Sequence, residues 1–223
     1  MTKDNIIEII KKTGLFQYNI FDDHPQKANE VILRKEDSQY IVFSTDEENI
    51  IKGNILTFND ENEAIDNFIN QLHKLKDRYL SSYIEDNYHD YYQKRYKEKP
   101  FYKIFFSWKW PPFFLGYGWL IYRKMYLETL ILFIILIISG NIIFFINGND
   151  RIFQIVYDSM RILLSIFGNS LYYYKISRVI KKLKNIDERE HIKYLIKHGG
   201  TNIILAILIA LLYLAIIIVP FFI

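Results

Sequence analysis

Residues 203–223 form an unbroken apolar run from Ile203 to Ile223, in which nothing is more polar than Tyr213 and Pro220 stands near the end. A bilayer-spanning helix needs about 20 mostly apolar residues to cross ~30 Å of hydrocarbon, and this run meets that length. A second run, Thr129 to Ile146, has only Ser139, Gly140 and Asn141 as weak spots. A third, Ile152 to Tyr174, carries Asp158 and Arg161. It follows Gly148-Asn149-Asp150, whose composition fits a tight turn between antiparallel helices. The expectation is three spans, at about 129–146, 152–174 and 203–223.

Charge divides the rest of the reading. Residues 1–93 hold 10 Lys/Arg and 18 Asp/Glu, whereas residues 94–223 hold 18 and 7, so the net +3 hides −8 against +11. The mean hydropathy of +0.01 is likewise the average of a polar part and a very apolar part, which argues against a single soluble domain. There is no Cys, which removes disulfides, thiolate metal sites and thiol nucleophiles. The basic residues cluster in 94–124 and 175–200, while the turn at 147–151 has only Arg151. Lys and Arg are retained on the cytoplasmic side, so the N-terminus is expected inside and the C-terminus outside. Met1 to Glu8 is polar, and no signal-peptide core follows it.

Residues 1–78 read as a small acidic α+β domain: helix, four-stranded antiparallel meander, helix. The first helix covers Asn5–Lys12 with Gly14 as its stop. Strand-like stretches follow at Tyr18–Phe21, Glu30–Arg34, Tyr40–Ser44 and Asn54–Phe58. Asp60 and Glu63 have capping-box spacing, and Ala64, Ile65, Phe68, Ile69, Leu72 and Leu75 recur at three and four, the stripe of a half-buried helix. Tyr18 to Ile32, Tyr40 to Glu47 and Glu63 to Ile69 together resemble bacterial immunity protein family 59, with Tyr40 at that family's Trp position and Glu48 at its Arg position. The resemblance implies an α+β partner that neutralises a bacterial toxin. Asp22, Asp23, Asp46, Glu47 and Glu48 are then expected as an acidic rim at the sheet ends, suited to a basic partner. An ordinary solvated acidic face is the plain alternative.

Residues 79–127 alternate aromatic and basic side chains, with Pro111-Pro112 interrupting any helix. Stacked rings with Lys and Arg suit single-stranded nucleic acid. The same composition leading into a span suits the membrane–water interface, so no nucleic acid is expected as a partner. The expected anchors are Trp108, Trp110, Trp119, Tyr122, Arg123 and Lys124. Phe106 to Tyr126 is similar to the signature of the bacterial membrane family DUF2628, as are Tyr83–Tyr92, Gly168–Tyr172 and Gly199–Thr201. That resemblance implies an integral inner-membrane protein and no activity.

Candidate chemistry is sparse. Asp158 and Arg161 share one helix face and form the expected intramembrane pair, read as a packing salt bridge or a functional charge. The five His have no metal-ligand spacing, and no nucleotide-binding or hydrolase motif occurs, so no metal, cofactor or enzymatic activity is expected. The expectation is a membrane-anchored protein with lipid bilayer and a toxin, bound by residues 1–78, as partners. The three parts are 1–78, 79–127 and 128–223. A multi-pass transport or assembly protein with a regulatory soluble domain is the alternative.

Overall fold

A computed structural model describes residues 3–85, 88, 92–96, 104–147 and 150–218. The Gly148-Asn149 turn, part of the Tyr83–Tyr92 segment and the end of the last apolar run from Val219 onward lie outside the described residues. The elements are α1 (Lys3–Thr13), β1 (Tyr18–Ile20), β2 (Val31–Glu36), β3 (Gln39–Thr45), β4 (Ile51–Phe58), α2 (Glu61–Ile84) and α3 (Gln93–Tyr96). Then come α4 (Trp110–Leu115), α5 (Tyr117–Tyr122), α6 (Tyr126–Asn147), α7 (Asp150–Lys182), α8 (His191–His198) and α9 (Ile203–Ile218).

The sheet corrects the antiparallel meander. Its order is β1-β2-β3-β4, but β1 pairs with β2 in parallel, Tyr18 opposite Val31 and Ile20 opposite Leu33. Asp22-Asp23-His24-Pro25 has hairpin composition, yet the ten residues from Phe21 to Glu30 carry the chain back past its starting point. Positive φ at Phe21, Asp22 and Asn29 bends this crossover. The Phe21 N–H donates to Leu33 O at 2.7 Å and the Val31 N–H to Gln17 O at 3.0 Å, the slanted pattern of a parallel pair. β2–β3 and β3–β4 are antiparallel as expected.

α2 begins where its cap predicts, the Asp60 carboxylate accepting the Glu63 N–H at 2.9 Å. It continues past Arg78 because the buried spacing continues through Tyr79, Leu80, Tyr83 and Ile84. These side chains join Ile6, Ile10, Val31, Ile32, Leu33, Val42, Phe43, Phe68 and Leu72 in the core. Near its end, α2 meets Gly199 so closely that a Cβ there would lie 2.1 Å from Tyr83 O. No larger residue fits without moving backbone.

The chain divides into two compact units: residues 1–103 with 176–199, and residues 104–175 with 200–223. In the second, α4 packs on α5, and α5 packs on α6 and α9. The Asn202 N–H donates to Tyr122 O at 2.8 Å and its side chain accepts the Leu205 N–H at 3.0 Å, capping α9.

The three-span membrane domain is not what the described residues form. Among them one helical stretch, Glu188–Ile209, is long and apolar enough to cross a membrane, and the apolar stretch Tyr126–Ile142 of α6 is shorter. Residues 152–174 belong to the long α7, one side of which packs polar side chains: Ser165, Asn169 and Ser170 are buried. Over 152–174 the helix thus spends one side on packing, while Ile155, Ile162 and Leu163 are exposed.

Candidate functional site

The five predicted acidic residues fall into two groups rather than one rim. Asp22 lies beside the C-terminal part of β2, accepting Arg34 Nε at 3.0 Å. Asp23 pairs with Lys3 at 3.3 Å and with His24 Nδ1 at 2.6 Å. Asp46, Glu47 and Glu48 sit at the other end, in the β3–β4 turn, where the Asn29 N–H donates to Asp46 O at 2.8 Å. The Asp46 carboxylate is occupied by the N–H groups of Glu48 and Ile50, both at 2.9 Å, so it shapes the turn. Glu47 reaches Arg78 at 3.9 Å, and Glu48 is exposed.

Sequence reasoning missed the residue that ties the crossover together. His24 Nδ1 faces Asp23 and Nε2 faces the buried Glu30, each at 2.6 Å. Glu30 also accepts the Lys27 N–H at 3.2 Å, and its own N–H donates to Thr45 Oγ1 at 3.0 Å. Desolvation disfavours the charged ring, but the two carboxylates outweigh it and hold His24 above its ordinary value. A His between Asp and Pro carries no spacing signal, so only the fold reveals the clamp. Lys76, also unforeseen, is buried with Nζ donating to Thr13 O at 2.8 Å, and burial pulls its amine down to about 7. Tyr79 O–H lies 3.0 Å from His191 Nδ1, while His191 Nε2 donates to Leu183 O at 3.0 Å, a pairing that fixes the ring's tautomer.

In the second unit, two sequence segments about 60 residues apart close on one another. Residues 104–109 run extended along α7, with the Ser107 N–H donating to Ile166 O at 3.1 Å and the Lys109 N–H to Ser165 O at 2.8 Å. This alternation turns Phe105, Ser107 and Lys109 inward and leaves Ile104, Phe106, Trp108 and Trp110 exposed. Lys109 Nζ donates to Asn169 Oδ1 at 3.3 Å and lies 4.9 Å from the Trp119 ring centroid. Asn169 in turn donates to Ser107 Oγ. Gly168 lies close beneath Trp119: a Cβ there would stand 3.1 Å from the indole, which would have to give by a few tenths of an ångström.

Residues 55–178, over half the chain, match the family described as protein of unknown function (DUF2628). The chain belongs to the DUF2628 family. No curated protein and no solved structure matches it. The match starts within β4 and takes in α2, so in this DUF2628 chain the family's reach crosses the expected boundary at residue 78. The Phe106–Tyr126 and Gly168–Tyr172 segments that carried the resemblance are the two that meet around Lys109, Trp119 and Asn169.

The remaining predicted residues take up definite places. Arg161 donates through Nε to Phe113 O at 2.9 Å and through Nη2 to Phe114 O at 3.4 Å, covering the end of α4. Asp158 pairs with it at 3.3 Å, and the guanidinium lies 5.6 Å from the Phe113 ring centroid. Of the expected interfacial anchors, Trp108 and Trp110 are exposed, whereas Trp119 and Arg123 are buried at 2% and 4% exposure. Arg123 lies over the Tyr122 and Tyr172 rings, both at 5.3 Å, so Tyr122 helps to enclose it. Lys124 supplies a carbonyl: Lys175 Nζ donates to Arg123 O at 3.0 Å and to Lys124 O at 2.9 Å. Burial, with the Lys124 and Arg123 charges, lowers the Lys175 amine to about 8. Among the described residues no cluster of His and carboxylates is arranged to hold a metal.

Proposed function

We propose that this DUF2628 protein is a membrane-anchored binding protein of the bacterial cytoplasmic membrane. Its apolar helices α6 and α9 would be the anchor, and its acidic α+β unit the cytoplasmic recognition module. The observation that carries the reading is the exposure of α6. Leu127, Leu130, Ile131, Phe133, Ile134, Ile135, Ile137 and Ile138 are each 45–55% exposed, across the broad face of the helix opposite the buried Leu136 and Gly140. A continuous face of large exposed apolar side chains is costly in water and favourable in hydrocarbon. The partner is a basic protein, and a bacterial toxin neutralised by stoichiometric binding is the class that the resemblance of the first 78 residues implies. Tethering raises the binder's local concentration where such a partner meets the membrane.

Alkaline carbonate extraction of membranes tests the anchor: the full chain is expected to stay in the pellet, and release into the wash would overturn it. Co-expression with a toxin from an adjacent reading frame tests the binding. Restored growth with a one-to-one complex is the expected result, and continued killing without a complex refutes it.

A further inference from the structure

The feature that neither the family match nor the predicted loop residues account for is β4. It is the edge of the sheet order β1-β2-β3-β4, so among the described residues no strand pairs with one side of its backbone. An exposed strand edge is a template for a further strand, and proteins normally blunt it with charge or a bulge. Here the blunting is slight. Lys52 is the strand's one charge, and the register shifts near Gly53–Ile55. Meanwhile Ile50, Ile51, Ile55 and Leu56 are 58%, 41%, 51% and 37% exposed, an apolar strip on a polar unit.

The strip is bracketed by acid. Asp46, Glu47 and Glu48 lead into β4, and Asp60, Glu61 and Glu63 follow it, six carboxylates against one lysine over residues 45–63. Pairing with a second copy of this strand would set one acidic bracket against another in antiparallel register, and like charges opposed across strands are destabilising. Charge complementarity selects a different occupant.

We propose that β4 is the docking edge for an extended segment of a basic partner protein. That segment has alternating apolar residues flanked at both ends by Lys or Arg, and it adds as a fifth strand. At ~3.3 Å per residue, the eight residues of β4 span about 26 Å between the brackets, so the partner's basic ends stand at least eight residues apart. Main-chain hydrogen bonds supply affinity, Ile51, Ile55 and Leu56 receive the apolar side chains, and the brackets supply orientation and rate. This rests on the binding function proposed above and keeps Asp46, Glu47 and Glu48 of the expected rim in the contact surface while leaving Asp22 and Asp23 out of it.

The test uses the full chain in nanodiscs and a fluorescent peptide, Lys-Arg-Val-Thr-Val-Thr-Val-Thr-Val-Lys-Arg, read by anisotropy. A control keeps the four cations but replaces the centre with Gly-Ser. The first peptide is expected to bind at least tenfold more tightly than the control, and Ile55→Lys to weaken it tenfold or more with an unchanged melting temperature. Amide exchange should slow across residues 51–58 when peptide is bound. Equal binding of the control, no binding of either peptide, or an indifferent Ile55→Lys overturns the proposal. If an Asp22→Asn/Asp23→Asn variant loses toxin protection while Ile55→Lys keeps it, the binding function stands and the β4 site falls. If protection fails throughout but the peptide still binds at β4, the reverse holds.

Discussion

The two units treat charge in opposite ways. In the acidic unit, charges meet charges: His24 lies between Asp23 and Glu30, Arg34 meets Asp22, and Lys27 meets Glu188 at 3.4 Å. In the second unit, cations meet carbonyls and rings. Arg161 covers the end of α4, Lys175 takes the carbonyls of residues 123 and 124, and Lys109 and Arg123 lie over aromatic faces. Carboxylates are scarce there in the sequence, so backbone dipoles and quadrupoles take the anion's role. Exposed ion pairs weaken with salt, whereas buried contacts to carbonyls and rings are much less screened. The contrast is one of proportion: the acidic unit also sets Lys76 on Thr13 O, Arg34 over Phe43 and Lys35 over Tyr40, and the second unit pairs Arg161 with Asp158.

Removing Arg161 should sharpen this contrast most. Arg161→Ala leaves two carbonyls of α4 without their donor and is expected to cost about 2–3 kcal/mol, read as a lowered melting temperature that salt does not restore. Recovery of the loss in high salt would break the comparison. Gly168→Ala comes next, at about 1–3 kcal/mol, because the added methyl must displace the Trp119 indole; an unchanged melting temperature would mean that the ring can shift freely.

His24 and the buried lysines titrate with opposite signs, Lys76 in the acidic unit behaving like Lys175 in the second. His24 is held above its unfolded value, so its stabilisation is complete below that value and is lost as pH rises through the folded one. Lys175 is lowered to about 8, so folding binds fewer protons there and stability rises from pH 8 toward 10.5. His24→Ala should cost about 1 kcal/mol near pH 6 and progressively less in alkali. Lys175→Met should reduce the alkaline rise and leave the share that Lys76 contributes; melting curves from pH 5 to 10 measure both. The smallest effect belongs to Arg34→Gln, within ~0.5 kcal/mol and vanishing in high salt, because the pair with Asp22 is half-exposed.

What the sequence disclosed was local chemistry. The Asp60 cap and the α2 stripe from Ala64 to Leu75 each depend on residues three or four apart, and each stands where the spacing places it. Parallel pairing of β1 did not disclose itself, because a tight turn and the start of a long crossover have the same Asp, Asn and Pro composition. Trp119 and Arg123 looked interfacial because aromatic and basic residues also build interiors when a ring can cover a guanidinium. Gly199 looked like a turn residue, but its cause is the Tyr83 carbonyl, 116 positions earlier in the chain. The three spans failed as a prediction for a related reason: apolar counts in a window do not report which side of a helix is spent on a neighbour.

The alternation along residues 104–110 has an optical consequence. The chain has three tryptophans, and the fold gives them contrasting surroundings: Trp108 and Trp110 are exposed, and Trp119 is sealed beneath a lysine. Intrinsic emission is therefore a sum of a solvent-sensitive and a shielded component. Added lipid vesicles should shift only the first toward the blue, and an aqueous quencher should extinguish only the first. The protein thus carries a native reporter of where its aromatic stripe resides, with an internal reference in the same spectrum.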